Sequence, residues 1–180
     1  MAFDKAELTP LLSLRVSTHQ IPRYGHFPNT TIHNRPLIIY HNAFESVTSA
    51  SQIESHLKNV GVCIPDWRST MYEKSHFHST THEFLVVASG KARLLFGGEQ
   101  NPKAAGIDVQ AGDAMLVPAG VAHRLLEGSE DFEMVGSYPA EAEKWDMRYG
   151  GEVGTESRIA ALRWFTEDPL YGMNGPVTNF

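Results

Sequence analysis

SHFHSTTHEFLVVASG, residues 75–90, is the stretch whose reading decides the fold. It holds two histidines one residue apart, His76 and His78, followed by Glu83 and Gly90. Side chains alternate faces along a β-strand, so His76 and His78 point the same way. Glu83 lies beyond the short STTH turn and can return on an adjacent strand. Another histidine arrives in GDAMLVPAGVAHRLL (112–126), where Gly112, Pro118, Gly120 and His123 punctuate a short apolar run. Three imidazoles and one carboxylate suit a divalent transition metal. The nitrogen donors favour zinc, copper, nickel or iron, and the carboxylate keeps manganese among the choices.

These segments resemble the paired motifs of the cupin family. The family's first motif reads G-x5-H-x-H-x3/4-E-x6-G, and His76, His78, Glu83 and Gly90 follow that spacing. Thr70 stands where its opening glycine belongs. The second motif reads G-x5-P-x-G-x2-H-x3-N, matched by Gly112, Pro118, Gly120 and His123, with Glu127 in place of the asparagine. Neither departure touches a ligand position. The wider run HFHSTTHE, GGE, AGDAMLVPAGVAH, DFEMVGSYP and DPLYG-x2-GP is similar to the YjlB-like single-domain cupins, from about Pro28 to Pro176. The resemblance implies an all-β jelly-roll barrel with His76, His78, Glu83 and His123 as metal ligands. The expected ion is Fe, Mn, Ni or Zn.

A length of 180 residues suits one domain, and an apolar fraction of 42% supplies a core without reaching membrane-protein levels. No run approaches the roughly 20 apolar residues of a spanning helix. MAFDKAELTPLLSLRVS is broken by charges and Pro10, which argues against a secretory leader. The lone Cys63 excludes an internal disulfide, fits a reducing cytoplasmic setting and reads as a buried structural residue. Fifteen basic against 21 acidic residues give a net charge of −6 with no basic cluster, which argues against nucleic acid as a partner. His19, His26, His33, His41 and His56 lack partner spacing and read as ordinary histidines.

In chain order, residues 1–35 read as an arm crossing the outside of the barrel or a neighbouring subunit, so a homodimer is allowed. The barrel proper spans 36–140 and opens with PLIIYH as its first strand. TSASQIESHLKNVG is the one convincing helix, exterior, over about 51–60. Ser51 and Glu54 make its capping box, and Gly61 ends it. Short strands separated by turn residues follow: EFLVVAS, KARLLF, IDVQ, AMLV, HRLLE and DFEMVGSYP. Such spacing reads as a sandwich or barrel, and the resemblance selects the jelly roll. Residues 141–180 form a tail. Within it EAEKWDMRYGGEVGTE is a surface loop, and RIAALRWF is open between helix and edge strand.

Around the motifs, Leu85 and Val87 share the face of Glu83 and form an apolar wall. His82 falls on the opposite face, an outer-layer histidine under the arm, with a ligand borne on the turn as its alternative. Alternation back from His76 puts Lys74 and Tyr72 on the site's face, where either can orient a substrate or carry a proton. Arg93 is a further candidate, and Asp113 is a turn residue. The cupin resemblance points to a metal-dependent enzyme working on a small oxygenated molecule inside the barrel, by dioxygenation or by Lewis-acid isomerisation or decarboxylation. A non-enzymatic small-molecule-binding or sensor cupin is the alternative. A metal-free epimerase-like barrel using His76 or His123 as base is a third reading, opposed by retention of all four ligand residues.

Overall fold

In a computed structural model, which describes residues 6–180, nine strands and two α-helices carry the fold. The elements run β1 (Arg15–His19), β2 (Leu37–His41), α1 (Ala50–Val60), β3 (Cys63–Ser69), β4 (Glu83–Ser89), β5 (Lys91–Phe96), β6 (Ala105–Gln110), β7 (Ala114–Val117), β8 (His123–Gly128), β9 (Glu133–Pro139) and α2 (Thr155–Ala161). All strand pairings are antiparallel. They form a six-stranded sheet in the order β1-β2-β7-β4-β9-β3 and a three-stranded sheet in the order β6-β5-β8. The two sheets face each other as a jelly-roll barrel.

Strand β4 shows why the barrel needs two cores. Its residues Glu83 to Val87 are all buried, so it reads as an apolar run without alternation. Leu85 and Val87 point between the sheets, onto Met115, Val117, Leu94, Phe96 and Met134. Phe84 and Val86 point the other way, into a second cluster with Tyr40, Leu116 and Val135. That outer cluster is roofed by Ile53 and Leu57 of α1 and by Leu170 and Val177 of the tail. Asp168, fully buried, fastens the tail there. It accepts hydrogen bonds from the Tyr40 hydroxyl at 2.7 Å and from the amides of Leu170, Tyr171 and Val177.

Three expectations need correction. The arm contains a strand: β1 pairs with β2 along its whole length, although its own pattern is mostly exposed. Pairing with an apolar neighbour holds it, and no periodicity of its own signals it. The helix is capped two residues earlier than Ser51. Ser49 is the N-cap, and its hydroxyl and amide exchange hydrogen bonds with Gln52, while Ser51 and Glu54 both bind Arg68. Gly61 does end it, in the left-handed region at φ 78°. The tail holds a second helix, α2, so α1 is not the one helix. RIAA is helical, and RWF runs beyond it. The expectation for the arm's first five residues lies outside the described part. Among the described residues no helix is long and apolar enough to cross a membrane.

Candidate metal centre

The site is built where the two sheets meet. His76 and Phe77 make isolated bridges, to His123 and Arg148, rather than a full strand. His76 and His123 exchange backbone hydrogen bonds at 3.2 and 2.9 Å, which brings their rings to 4.3 Å between centroids. Two residues on, the His78 carbonyl accepts from the amide of Gly120 at 2.9 Å. Gly120 has φ +91°, a conformation that favours glycine, and this turn sets the direction of the chain into His123. Glu83 enters from the six-stranded sheet as the first residue of β4, and His123 from the three-stranded sheet as the first residue of β8.

Hydrogen bonds determine which nitrogen each histidine offers. Nδ1 of His76 lies 2.8 Å from the Lys74 carbonyl, and Nδ1 of His123 lies 2.9 Å from the Val121 carbonyl. Nδ1 of His78 likewise contacts the Asp146 carbonyl. A carbonyl only accepts, so each Nδ1 carries a proton and donates, leaving Nε2 as the free donor atom toward a metal. The ligand atoms of His76, His78 and His123 lie within 4.8 Å of one another. Glu83 Oε2 sits 3.4 Å from His78 Nε2 and 3.3 Å from His123 Nε2. All four residues are at most 4% exposed.

Two of these atoms, His78 Nε2 and Glu83 Oε2, are buried without a hydrogen-bond partner. Leaving buried polar atoms unsatisfied costs roughly 1–3 kcal/mol each, so a set of them around one point fits a cation. The donor chemistry, three imidazole nitrogens and one carboxylate oxygen, fits a divalent transition metal. The electrostatics agree. Burial and the neighbouring His123 pull His76 down to about 3, which keeps it a neutral donor. Burial also opposes charge on His78, but the Glu83 carboxylate outweighs it and raises that histidine. Glu83 is held well below the usual carboxylate range: burial favours its neutral form, and His78 and His123 overcome that effect.

A second set of residues orients the donors. The Tyr138 hydroxyl donates to Glu83 Oε1 at 2.9 Å and accepts from Trp67 Nε1 at 2.8 Å. The Trp67 ring lies so close to Gly136 that a Cβ there would come within 2.0 Å of it. Glycine at 136 is therefore required for the indole to reach Tyr138. Asp146 clamps the other side. Its carboxylate accepts from the amide and hydroxyl of Ser79, from Thr80 and from Arg148 Nε. Burial alone would raise Asp146, but these donors hold it below its ordinary range. Phe77 and Arg148 also exchange backbone hydrogen bonds, both at 2.9 Å. The loop after Pro139, expected to be a plain surface loop, thus forms one wall of the site. Its carboxylate and aromatic residues carry no motif, and only the fold brings them to the site.

The donors open into a cavity of about 200 Å³, walled by Trp67, Met71, Leu85, Met134, Tyr138, Trp145 and Met147. Tyr72 stands at its edge, 63% exposed, with its ring 5.5 Å from that of His76. Lys74 does not line the cavity. Its ammonium lies 4.0 Å over the Tyr149 ring. Residues 70–74 are not a strand, so the alternation that paired Lys74 with Tyr72 does not operate. Arg93 is also elsewhere, in an exposed pair with Asp108. Asp113 caps its turn by accepting from the amides of Asn42 and Gln110. A wider open groove of about 720 Å³, lined in part by Arg15, His41 and Lys91, contains none of the four donors.

His82 faces away from the cavity. It is 2% exposed and packs against His33, Trp164 and Phe165, so it lies under the tail as well as the arm. Its Nδ1 accepts from the Ala119 amide at 3.0 Å, and Nε2 donates to the Arg163 carbonyl at 3.2 Å.

Comparison with known proteins follows the same residues. The cupin domain family matches residues 69–137. The uncharacterized protein YjlB of Bacillus subtilis (strain 168) is 31% identical over 163 residues, covering 89% of this chain and 93% of its own length. Among solved structures, the coconut allergen cocosin is 12% identical, with a TM-score of 0.37 over 79% of this chain. A mutant of the Bacillus subtilis oxalate decarboxylase OxdC is 17% identical, with a TM-score of 0.34 over 76%. The chain spans only 30% and 27% of those two proteins. With nearly full-length similarity to YjlB and a domain match across both histidine motifs, the chain belongs to the cupin family.

Proposed function

We propose that this protein is a metal-dependent cupin that acts on a small oxygenated molecule inside the barrel. One observation carries the reading. Hydrogen bonds direct the Nε2 atoms of His76, His78 and His123 away from the backbone, while His78 Nε2 and Glu83 Oε2 stay buried without partners. These four residues would hold the ion. Bound iron would supply dioxygen activation, whereas manganese, nickel or zinc would supply Lewis-acid polarisation suited to isomerisation or decarboxylation. Four protein ligands on an octahedral ion leave two positions, unlike a closed structural site. Tyr138 keeps Glu83 turned toward the histidines, and Trp67 keeps Tyr138 in place. The apolar walls exclude water from the bound molecule. Elemental analysis of purified protein, with His78→Ala beside it, tests the proposal. A transition metal near one per chain in the wild type, lost in the variant, is the expected result. Equal metal content in both would overturn it.

A further inference from the structure

The cavity walls carry information that the donor set does not. Among the described residues no lysine or arginine lines the cavity, and its two lining carboxylates are Asp66 and Glu83. Lys144 reaches Asp66 at 3.2 Å but is itself largely exposed and is not a lining residue. The walls are instead aromatic and thioether groups. The Trp145 ring stacks on Tyr138 at 6.3 Å with an interplanar angle of 21°, and it meets His78 at 5.8 Å. Trp145 is fixed by its Nε1, which donates to Asp66 at 2.9 Å. Methionines 71, 134 and 147 also line it. Thioethers adapt to, and favourably contact, a flat ring.

Volume and charge then narrow the ligand. A cavity of about 150 Å³ accommodates one benzene, and this one measures about 200 Å³. There is room beside the donors for a single six-membered ring with one or two small substituents. A dicarboxylate would meet Asp66 and Glu83 with no guanidinium or ammonium among the lining residues to receive it. Against a divalent ion already balanced in part by Glu83, a singly ionised hydroxyl oxygen suffices.

The geometry points to a single-ring hydroxylated molecule of the phenol or catechol class as the ligand. Its oxygen edge faces His76, His78, Glu83 and His123, and its ring lies against Trp145 and the methionines. This rests on the metal-centre reading for the oxygen edge, and on the walls alone for the ring.

The test uses the full chain and isothermal titration calorimetry at pH 7.5. Zinc-loaded protein, chosen because zinc is redox-inert, is titrated with catechol and with oxalate. Metal-free protein is titrated with phenol and with benzoate. Catechol is expected to bind at least about tenfold tighter than oxalate, and phenol tighter than benzoate. Trp145→Ala, in a half-buried loop position, should weaken catechol and phenol about tenfold, the scale of one aromatic contact. Met147→Arg should shift preference toward oxalate and benzoate, independently of any loss of loop order in the first variant. If zinc does not bind while phenol binding still depends on Trp145, the metal reading fails and the ring assignment stands. If zinc binds and oxalate matches or exceeds catechol, or Trp145→Ala leaves catechol unchanged, the ring assignment is overturned and the metal reading stands.

Discussion

His78 and His82 sit four residues apart, both almost fully buried, and they have opposite chemistry. At His82 both ring nitrogens are satisfied: the Ala119 amide donates to one, and the other donates to the Arg163 carbonyl. Aromatic rings of the tail fill the space around it. At His78 the Nδ1 proton is held by the Asp146 carbonyl, and Nε2 is buried with no hydrogen-bond partner. Burial is common to the two sites, so burial does not mark a binding site. The mark is a polar atom deliberately left without a partner among others of its kind. His82 precedes the first residue of β4, and Glu83 begins it, so successive side chains face opposite sides of the sheet.

The strongest way to break this contrast is His78→Ala. Zinc affinity, measured by competition with a chromophoric chelator, should fall more than about 100-fold, beyond the 10–100-fold typical of losing a supporting partner. His82→Ala should keep its metal. Comparable metal loss in the two variants would dissolve the distinction between the sites.

What His82→Ala should lose is stability. A cavity and two unpaired backbone groups should cost roughly 2–4 kcal/mol in urea unfolding. The pH dependence sharpens the point. Burial, helped by the nearby His33, pulls His82 down to about 4 from 6.5. Its neutral form is favoured in the fold, so its contribution is full above 6.5 and is lost as pH falls from about 6.5 to about 4. The loss is on the order of 3 kcal/mol. In metal-free protein His76, lowered to about 3, has the same sign. His78 has the opposite one. It is raised by Glu83, so its contribution is present below 6.5 and disappears as pH rises through its folded value. Unfolding free energies of metal-free wild type and His82→Ala at pH 7.5, 5.5 and 4.5 should converge toward acid. Parallel curves would show that His82 does not titrate in this way.

Tyr138→Phe tests the support of the candidate metal centre. It leaves Glu83 Oε1 and Trp67 Nε1 without their partner and should weaken zinc about 10–100-fold. The visible absorption of the cobalt form should shift with it. An unchanged affinity would mean that Glu83 is oriented by its backbone alone. The smallest effect belongs to the exterior. Ser49→Ala removes the cap of α1 and should cost about 0.5–2 kcal/mol, with zinc affinity untouched. A change in metal binding there would couple the helix to the centre.

Local signals made several elements legible. EFLVVAS, KARLLF and AMLV became strands within the bounds the turns suggested, because glycine and proline interrupt the chain at positions that tolerate little else. The exterior helix was readable from its apolar spacing and Gly61, while its cap was misjudged by two residues because both serines offer a plausible hydroxyl. The arm's strand was not readable, since an edge strand draws its stability from its neighbour's backbone.

By itself the sequence determined the donor chemistry, since residue type and spacing settle which atoms a short segment can offer. It also determined the strand parity that separates His82 from Glu83. Tertiary structure alone decided the rest. The convergence of His76 with His123 depends on pairing across 47 residues of chain. The free Nε2 of His78 depends on a carbonyl from Asp146, and the cavity walls depend on Trp145 and Met147 from a loop without any motif. Such contacts join residues far apart in the chain, where no periodicity or propensity reaches, and they exist only once the barrel has closed.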